Sequence, residues 1–325
     1  MSHLAEFART LHESLSHAYD RELVPARCEA RGENLHDIRA VIFDVYGTLV
    51  NYWRPGLHEA EERPHFLQAA CREVADRFSF TDYLIEMDPE AAPEKTLYDL
   101  YCGLIALSHE KAAKKGVLHP EVKTEAIWNM IVLMLKRRGY DPGKTGISID
   151  GDMGRYIGYA YNFFSLGRGL YPGVVQSIEK LRKNNMSLGI VSNAQFYSPI
   201  DLTLFIRDQS GGRIDDINEL FDPDLCFYSY EYSTAKPDSL LFQKLYDTLY
   251  EYQILPSQTV YVGNDLLIDI EPARKAGMKT ALFAGDSQSA YLHGKENEII
   301  PDITFTAWEE LPDKLSLHSQ GSISP

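Results

Sequence analysis

The stretch that decides the fold is AVIFDVYGTLV, residues 40–50. Four apolar residues open it and predict a short buried strand, which ends where Asp44 begins a glycine-containing turn. In an open parallel sheet, ligands bind at the carboxyl ends of the strands. This position predicts that the Asp44 carboxylate lies at the mouth of a crevice, although an Asp that caps the next element would leave the same local pattern.

Short apolar runs recur along the chain and alternate with helical patterns. They predict buried strands at residues 39–43, 188–191, 259–262 and 280–283. Between about residues 56 and 166 the apolar positions follow helical spacing instead, as in Ile127, Met130, Ile131 and Met134. The pattern predicts an α/β fold, a doubly wound parallel sheet with a helical block inserted after the first strand.

This pattern also predicts the domain boundaries. The expected parts are an N-terminal helical extension at 1–38, an α/β core at 39–51 and 168–315, a helical insertion at 52–167, and a polar tail at 316–325. A chain of 325 residues exceeds the usual size of one domain, which agrees with a core plus an insertion.

The composition restricts the classes of partner. Hydrophobic residues make up 44% and charged residues 24% of the chain, ordinary values for a globular protein and too apolar for a disordered one. The net charge of −15 argues against nucleic acids and anionic membranes, which attract basic surfaces. A small anionic substrate would need a locally positive pocket.

The cysteines and the N-terminal sequence bear on localisation. Four cysteines are widely spaced without a C-x-x-C pair, so neither a disulfide framework nor a zinc site is predicted. The first residues, MSHLAEFARTLHESL, lack the apolar segment of a signal peptide, and no apolar run is long enough to span a membrane. We therefore expect a cytoplasmic protein.

Polar residues follow three of the predicted strands and a further apolar run, residues 225–228, that is also compatible with a short strand. They are Asp44 and Thr48, then Ser192 and Asn193, then Lys236, and finally Asp265 and Asp269. Each alone could be a turn residue or a helix cap. Because the ends of parallel strands lie on one side of a sheet, we expect these residues to meet in one crevice.

Four motifs carry a resemblance to a known family. FDVYGTL (43–49), VSN (191–193), AKPD (235–238) and VGNDLLIDIEPARKAGM (262–278) resemble the signature motifs of the haloacid dehalogenase superfamily of hydrolases. The resemblance implies a Rossmann-like sheet and a cap domain, inserted after the first strand, that closes over the active site. The helical block occupies that place in the sequence.

The resemblance also implies roles for individual residues. Asp44 would be the nucleophile that forms a covalent aspartyl intermediate. Lys236 would hold the charged Asp44 carboxylate and offset charge on the transferred group. Thr48, Ser192 and Asn193 would supply hydrogen bonds to the substrate or to the loop of the nucleophile.

A cation site is implied beside the nucleophile. Its expected ligands are Asp44, Tyr46, Asn264, Asp265 and Asp269, with either Asn264 or Asp265 acting together with Asp269. Oxygen ligands of this kind suit Mg²⁺.

Two positions depart from the family's patterns. Phosphatases of the superfamily carry a second aspartate two residues after the nucleophile. This chain has Tyr46 at that position, and the 2-haloacid dehalogenases also have a tyrosine there. With a reference pKa near 10, a tyrosine is a poor general base at neutral pH. The fourth motif is acidic as in the metal-dependent enzymes, and Leu266 stands where the dehalogenases place an asparagine.

The sequence therefore predicts a hydrolase with Asp44 as nucleophile. The acidic fourth motif favours a Mg²⁺-dependent phosphate-monoester hydrolase acting on a small metabolite. The alternative is a 2-haloacid dehalogenase that works without metal, since halide leaves without being protonated. A third interpretation is a catalytically weak protein that binds a metabolite and regulates.

Overall fold

The computed structural model describes residues 3–14, 22–28, 32–51, 63–165 and 168–315, which divide into two compact units. The helical unit comprises residues 3–14, 63–165 and 168 together with Gln195–Asp201. The sheet unit comprises residues 22–28, 32–51, Gly169–Ala194 and 202–315. The predicted tail at 316–325 lies outside the described residues.

Eight strands lie in the sheet unit. They are β1 (Ala40–Phe43), β2 (Val50–Asn51), β3 (Gly169–Leu170), β4 (Ser187–Ser192), β5 (Cys226–Tyr228), β6 (Thr259–Gly263), β7 (Lys279–Phe283) and β8 (Ile303–Phe305). Six of them form a sheet in the order β5-β4-β1-β6-β7-β8, and every pair in it is parallel. The chain runs outward from β1 in both directions, so β1 lies at the topological switch point, where α/β sheets bind ligands.

Twelve α-helices lie among the described residues, besides four short 3-10 turns and one π-helical turn. They are α1 (His3–Ser14), α2 (Arg63–Arg77), α3 (Thr81–Met87), α4 (Pro93–Ala113), α5 (Thr124–Lys136), α6 (Met153–Ser165), α7 (Val174–Lys183), α8 (Ser198–Gln209), α9 (Ser229–Tyr232), α10 (Leu240–Glu251), α11 (Glu271–Lys275) and α12 (Glu310–Lys314). None of the described helices is both long and apolar enough to cross a membrane.

The sheet has an apolar core on each face. Side chains alternate along β1, so Val41 and Phe43 enter one core while Ala40 and Ile42 enter the other. Helix α7 packs on the first face and helix α10 on the second. A strand covered on both faces has no polar side, which is why β1 is a continuous apolar run and why its first polar residue, Asp44, marks its end.

The helical unit is held together by aromatic side chains. Tyr101 of α4 stacks on Trp128 of α5 with ring centroids 4.8 Å apart, and Tyr161 of α6 lies 5.2 Å from Trp128. Helix α1 belongs to the same unit, because Phe7 packs on Tyr156 at 5.3 Å. The apolar spacing that predicted helices thus corresponds to one shared core.

The predicted fold class is confirmed, and two local features differ from the sequence pattern. Strands β2 and β3 form a two-stranded antiparallel ribbon, and two residues per strand are too few to leave a periodic signal. Helix α11 is preceded by a π-helical turn at Leu266–Ile270, where the run Leu-Leu-Ile gives no sign of a wider turn.

Candidate active site

Asp44 directly follows β1, and a tight loop fixes its position. Its N–H donates to Val262 O at 2.9 Å, which continues the pairing of β1 with β6. The loop then turns at Gly47, whose φ of +85° favours glycine. A side chain at this position would also collide with the amide of Asn264. Glycine is therefore required both by the turn and by the close approach of the fourth motif.

Lys236 lies at the centre of the site. Its Nζ donates to Asp44 Oδ1 at 2.8 Å and to Asp269 Oδ1 at 2.5 Å. A third bond reaches the hydroxyl oxygen of Tyr261 at 2.8 Å. The lysine side chain is 0% exposed, so these three bonds replace the water that an ammonium group would otherwise bind.

Burial and charge act against each other in this cluster. Burial lowers the pKa of Lys236, but the carboxylates of Asp269 and Asp44 outweigh it and raise that pKa well above its usual value. Burial raises the pKa of Asp269 to about 6, although the Lys236 ammonium works in the opposite direction. Near neutral pH the lysine is therefore charged and Asp269 is predominantly ionised.

Asp269 is held on both of its oxygens. Oδ1 binds Lys236, while Oδ2 accepts the backbone N–H groups of Asn264 and Asp265 at 3.1 Å each. Gly263 makes this approach possible, because a Cβ there would come within 2.4 Å of the Asp269 Cβ. This carboxylate is thus committed to the lysine and to the fourth-motif loop.

The second oxygen of Asp44 has a different environment. Among the described residues, Oδ2 is approached by the Thr48 hydroxyl at 3.5 Å, a long contact. That hydroxyl donates more strongly to Asn264 Oδ1 at 2.9 Å, and the Asn264 amide in turn donates to Ser289 O at 2.5 Å. One oxygen of Asp44 is therefore tied to a cation, and the other is weakly held.

The residues expected to bind substrate have different surroundings. Ser192 ends β4, is completely buried, and its hydroxyl has no hydrogen-bond partner among the described residues. Asn193 instead clamps the lysine loop, since its amide donates to Lys236 O at 3.1 Å and accepts from Lys236 N at 2.6 Å. Ser192 thus has an unused hydroxyl, whereas the predicted substrate contact of Asn193 competes with its hold on Lys236.

Tyr46, predicted to act in catalysis and in cation binding, is partly buried. Its side chain packs against the core on the α7 face of the sheet, and its backbone forms a bridge with Val50. A tyrosine ring adds no carboxylate to the site, so the second acidic group of the metal-dependent pattern is absent from this position.

The expected magnesium ligands do not fit a metal site in this arrangement. Asp265 Oδ1 caps the π-helical turn by accepting from Leu267 N at 2.7 Å and Ile268 N at 3.0 Å. Both Asp265 oxygens also lie within 3.0 Å of His293 Nε2. Within the described residues, no three His, Cys, Asp or Glu side chains are grouped so that they could hold a metal ion. Of the predicted donor set, Asp265 and Asp269 are thus engaged with lysine, backbone and histidine groups, while Asp44 Oδ2 keeps its long contact with Thr48.

Sequence reasoning missed Tyr261, Ser289 and His293. Tyr261 lies inside the apolar strand β6, where a tyrosine is typical of a core residue. Its hydroxyl contacts become visible only once the sheet order places β6 two strands from β4, across β1. Ser289 contributes a backbone carbonyl, which any residue could supply. His293 lies 28 positions beyond its partner Asp265, so no local spacing in the sequence predicts this contact.

Comparison with known proteins gives a family and several similar folds. A family model described as haloacid dehalogenase-like hydrolase matches residues 38–277. Among solved structures, a 2-haloacid dehalogenase from Pseudomonas syringae pv. Tomato DC3000 is 20% identical, with a TM-score of 0.48 and coverage of 85% of this chain and 97% of that chain.

Two further structures are similar to a comparable degree. The HAD-hydrolase YfnB from Bacillus subtilis, bound to magnesium, is 20% identical, with a TM-score of 0.43 and coverage of 86% and 99% of the two chains. A HAD phosphatase from Thermococcus onnurineus is 15% identical, with a TM-score of 0.44 and coverage of 85% and 97%. No curated protein sequence matches the chain.

Proposed function

Because the chain belongs to the haloacid dehalogenase-like hydrolase family, we propose that it hydrolyses a small anionic substrate through a covalent ester on Asp44. The observation that carries the proposal is the unequal treatment of the two Asp44 oxygens. Lys236 holds Oδ1 at 2.8 Å, while Oδ2 has a 3.5 Å contact with Thr48. Oδ2 is therefore the oxygen that attacks.

The reaction has two steps. In the first, an electron pair of Oδ2 forms a bond to the substrate and the leaving group departs with its own bonding pair. Oδ1 then becomes the carbonyl oxygen of the ester, still facing the Lys236 ammonium. In the second step water attacks the Asp44 Cγ, and the ammonium stabilises the charge that develops on Oδ1. The alcohol product leaves, Asp44 is restored, and one proton goes to solvent.

The residues around the leaving group favour 2-haloacids as substrates. Halide departs without a proton, so Tyr46 at the position of the phosphatases' acid costs nothing in this reaction. The carboxylates of the fourth motif are committed to Lys236, the backbone and His293, which suits chemistry that does not depend on a bound cation. The unpartnered Ser192 hydroxyl is a suitable donor to the carboxylate of the haloacid.

Hydrolysis of a phosphate monoester is the second candidate. The observation that favours it is again Ser192, because a buried hydroxyl without a partner also suits a phosphoryl oxygen. The acidic fourth motif led to this function in the sequence analysis. Without an acid at Tyr46, we expect such activity to be restricted to esters with good leaving groups.

Oxygen labelling tests the proposal and separates the two candidates. Enzyme in excess is mixed with 2-chloropropionate or with p-nitrophenyl phosphate in H₂¹⁸O, and peptides of the enzyme are weighed by mass spectrometry. An ester to carbon is cleaved at Cγ, so ¹⁸O enters Asp44 and the first product carries ¹⁶O. A phosphoryl-aspartate is cleaved at phosphorus, so ¹⁸O enters phosphate.

The peptide that contains Asp269 is the internal control and stays unlabelled. We expect chloride release together with ¹⁸O in Asp44. Label in the 2-hydroxy acid product with an unlabelled Asp44 would contradict a covalent intermediate. Turnover of either probe that is equal in the wild type and in Asp44→Asn would contradict the role of Asp44. Absence of turnover with both probes would favour the regulatory interpretation.

A further inference from the structure

Tyr261 is the third partner of the Lys236 ammonium and the one neutral group among them. Strand β6 places its hydroxyl oxygen 2.8 Å from Lys236 Nζ, inside a completely buried environment. Its ring packs on Phe242 of α10 with centroids 5.2 Å apart, and Nζ lies 5.4 Å from the centre of the ring. Packing therefore fixes the ring, and the ring fixes the hydroxyl.

The orientation of this hydroxyl is also fixed. Its single proton is donated to Val191 O at 2.7 Å, while a longer contact of 3.3 Å reaches Asp269 Oδ1. Because the proton points to β4, a lone pair is left to face the lysine. An ammonium has three N–H groups, and Asp44, Asp269 and Tyr261 accept one each.

We propose that Tyr261 is a positioning residue that directs one N–H of Lys236 at Asp44 Oδ1 by accepting another. With Asp269 alone as the second acceptor, the ammonium could rotate about the Lys236 side chain and still keep an ion pair. With Tyr261 as the third acceptor, all three N–H groups of the ammonium are bound, and one of them is held on Asp44. This inference rests on the proposed function, since it assigns Tyr261 to the same site.

Kinetics of Tyr261→Phe test the role in catalysis. The variant keeps the ring and its packing, and removes one oxygen. Without the hydroxyl, one buried N–H of Lys236 has no acceptor, and we expect kcat to fall by roughly 10- to 100-fold. KM should be unchanged because Tyr261 does not touch substrate. Tyr159→Phe is the matched control: it removes an equally buried hydroxyl that donates to Asp201 at 3.0 Å in the helical unit. We expect it to keep the wild-type kcat.

A double-mutant cycle shows whether Tyr261 acts through Lys236. In a Lys236→Met background, measured with enzyme in excess so that slow turnover is visible, Tyr261→Phe should cause no further loss. An equal loss in both backgrounds, or a wild-type kcat in Tyr261→Phe, would overturn the proposal. If Tyr261→Phe does not fold, 3-fluorotyrosine at this position, a weaker acceptor, should give a smaller fall in kcat.

A measurement without substrate keeps this inference separate from the proposed function. In ¹⁵N-lysine-labelled protein, the N–H groups of a buried, fully bonded ammonium exchange slowly enough to be seen by NMR. We expect the Lys236 signal in the wild type and in Tyr159→Phe, and its loss through faster exchange in Tyr261→Phe. An unchanged signal in Tyr261→Phe would refute the positioning role even if Asp44 proves to be the nucleophile.

Discussion

Each unit of the protein contains a buried cation that pairs with a buried carboxylate, and the two pairings are similar in geometry. In the sheet unit Lys236 binds Asp269 at 2.5 Å, and in the helical unit Arg168 binds Asp201 at the same distance. All four side chains are at most 4% exposed. Removing such charges from water costs several kcal/mol per ion unless other groups compensate, so both pairs need an explanation.

The difference between them lies in charge balance. Arg168 and Asp201 are one cation and one anion, and the Tyr159 hydroxyl donates a further bond to Asp201. Lys236 serves two carboxylates, so the three groups carry one excess negative charge, and Asp44 Oδ2 is the weakly held oxygen of that cluster. Burial of an ion pair is therefore no sign of catalysis by itself. Excess negative charge together with a weakly bound carboxylate oxygen is the feature that suggests a functional site.

The largest effect should come from Asp44→Asn. The amide keeps the bond from Lys236 to the atom in place of Oδ1 but is a far weaker nucleophile, so we expect turnover to fall by ~10³-fold or more. Thermal unfolding should remain near that of the wild type. Full activity in a folded variant would show that catalysis does not require Asp44 or the excess negative charge around Lys236.

Matched lysine and arginine variants should separate the two pairs. Lys236→Met removes the group that stabilises charge on Oδ1, and we expect kcat to fall by ~10²–10³-fold. Arg168→Met leaves Asp201 buried without its cation, which should lower the free energy of unfolding by about 3–5 kcal/mol. At a temperature where it is folded, its kcat should stay close to the wild-type value. Urea unfolding and turnover are measured on both, and equal losses of kcat would break the comparison.

The pH dependence of activity should report on Asp269. Burial raises the pKa of this carboxyl to about 6, so it is charged near neutral pH and takes up a proton as the pH falls through that value. Protonation removes its ion pair with Lys236, and kcat/KM should decrease by about tenfold per pH unit on the acid side. In Asp269→Asn, kcat/KM should be lower than in the wild type at neutral pH and should show no further decrease on the acid side. An acid limb that persists in Asp269→Asn would assign it to another group.

The fold could be predicted because its signals are local or repeated. Apolar runs predicted β1, β4, β6 and β7, and the ends of the first two runs pointed to Asp44 and Ser192. The role of Asp44 as nucleophile came instead from the resemblance of the four motifs to the haloacid dehalogenase superfamily, and it stays a prediction. The sequence could not show which atoms of these side chains already form hydrogen bonds or ion pairs within the site. Asp265 and Asp269 have the composition of a metal site, yet their contacts with His293 and Lys236 depend on residues 28 and 33 positions away.

The smallest expected effect is that of metal removal, because here we expect none. A cation beside Asp44 would have to draw Asp265 away from Leu267 N and Ile268 N, or Asp269 away from Lys236. Each exchange breaks bonds to a buried charged group, which typically cost 1.5–3 kcal/mol apiece. Chloride release from 2-chloropropionate should therefore be the same before and after treatment with EDTA.

Tyr46→Asp makes the same test more demanding, because it adds a carboxylate two residues after the nucleophile. In the wild type, added Mg²⁺ should leave both chloride release and the melting temperature unchanged. In Tyr46→Asp, chloride release should not increase, since halide needs no acid, whereas hydrolysis of p-nitrophenyl phosphate would rise if the site could process phosphate esters. If EDTA instead abolishes wild-type activity and Mg²⁺ restores it, the carboxylates of the sheet unit exchange their lysine and backbone partners for a cation. This cation would then neutralise the excess negative charge around Lys236, and phosphate-ester hydrolysis would become the better assignment.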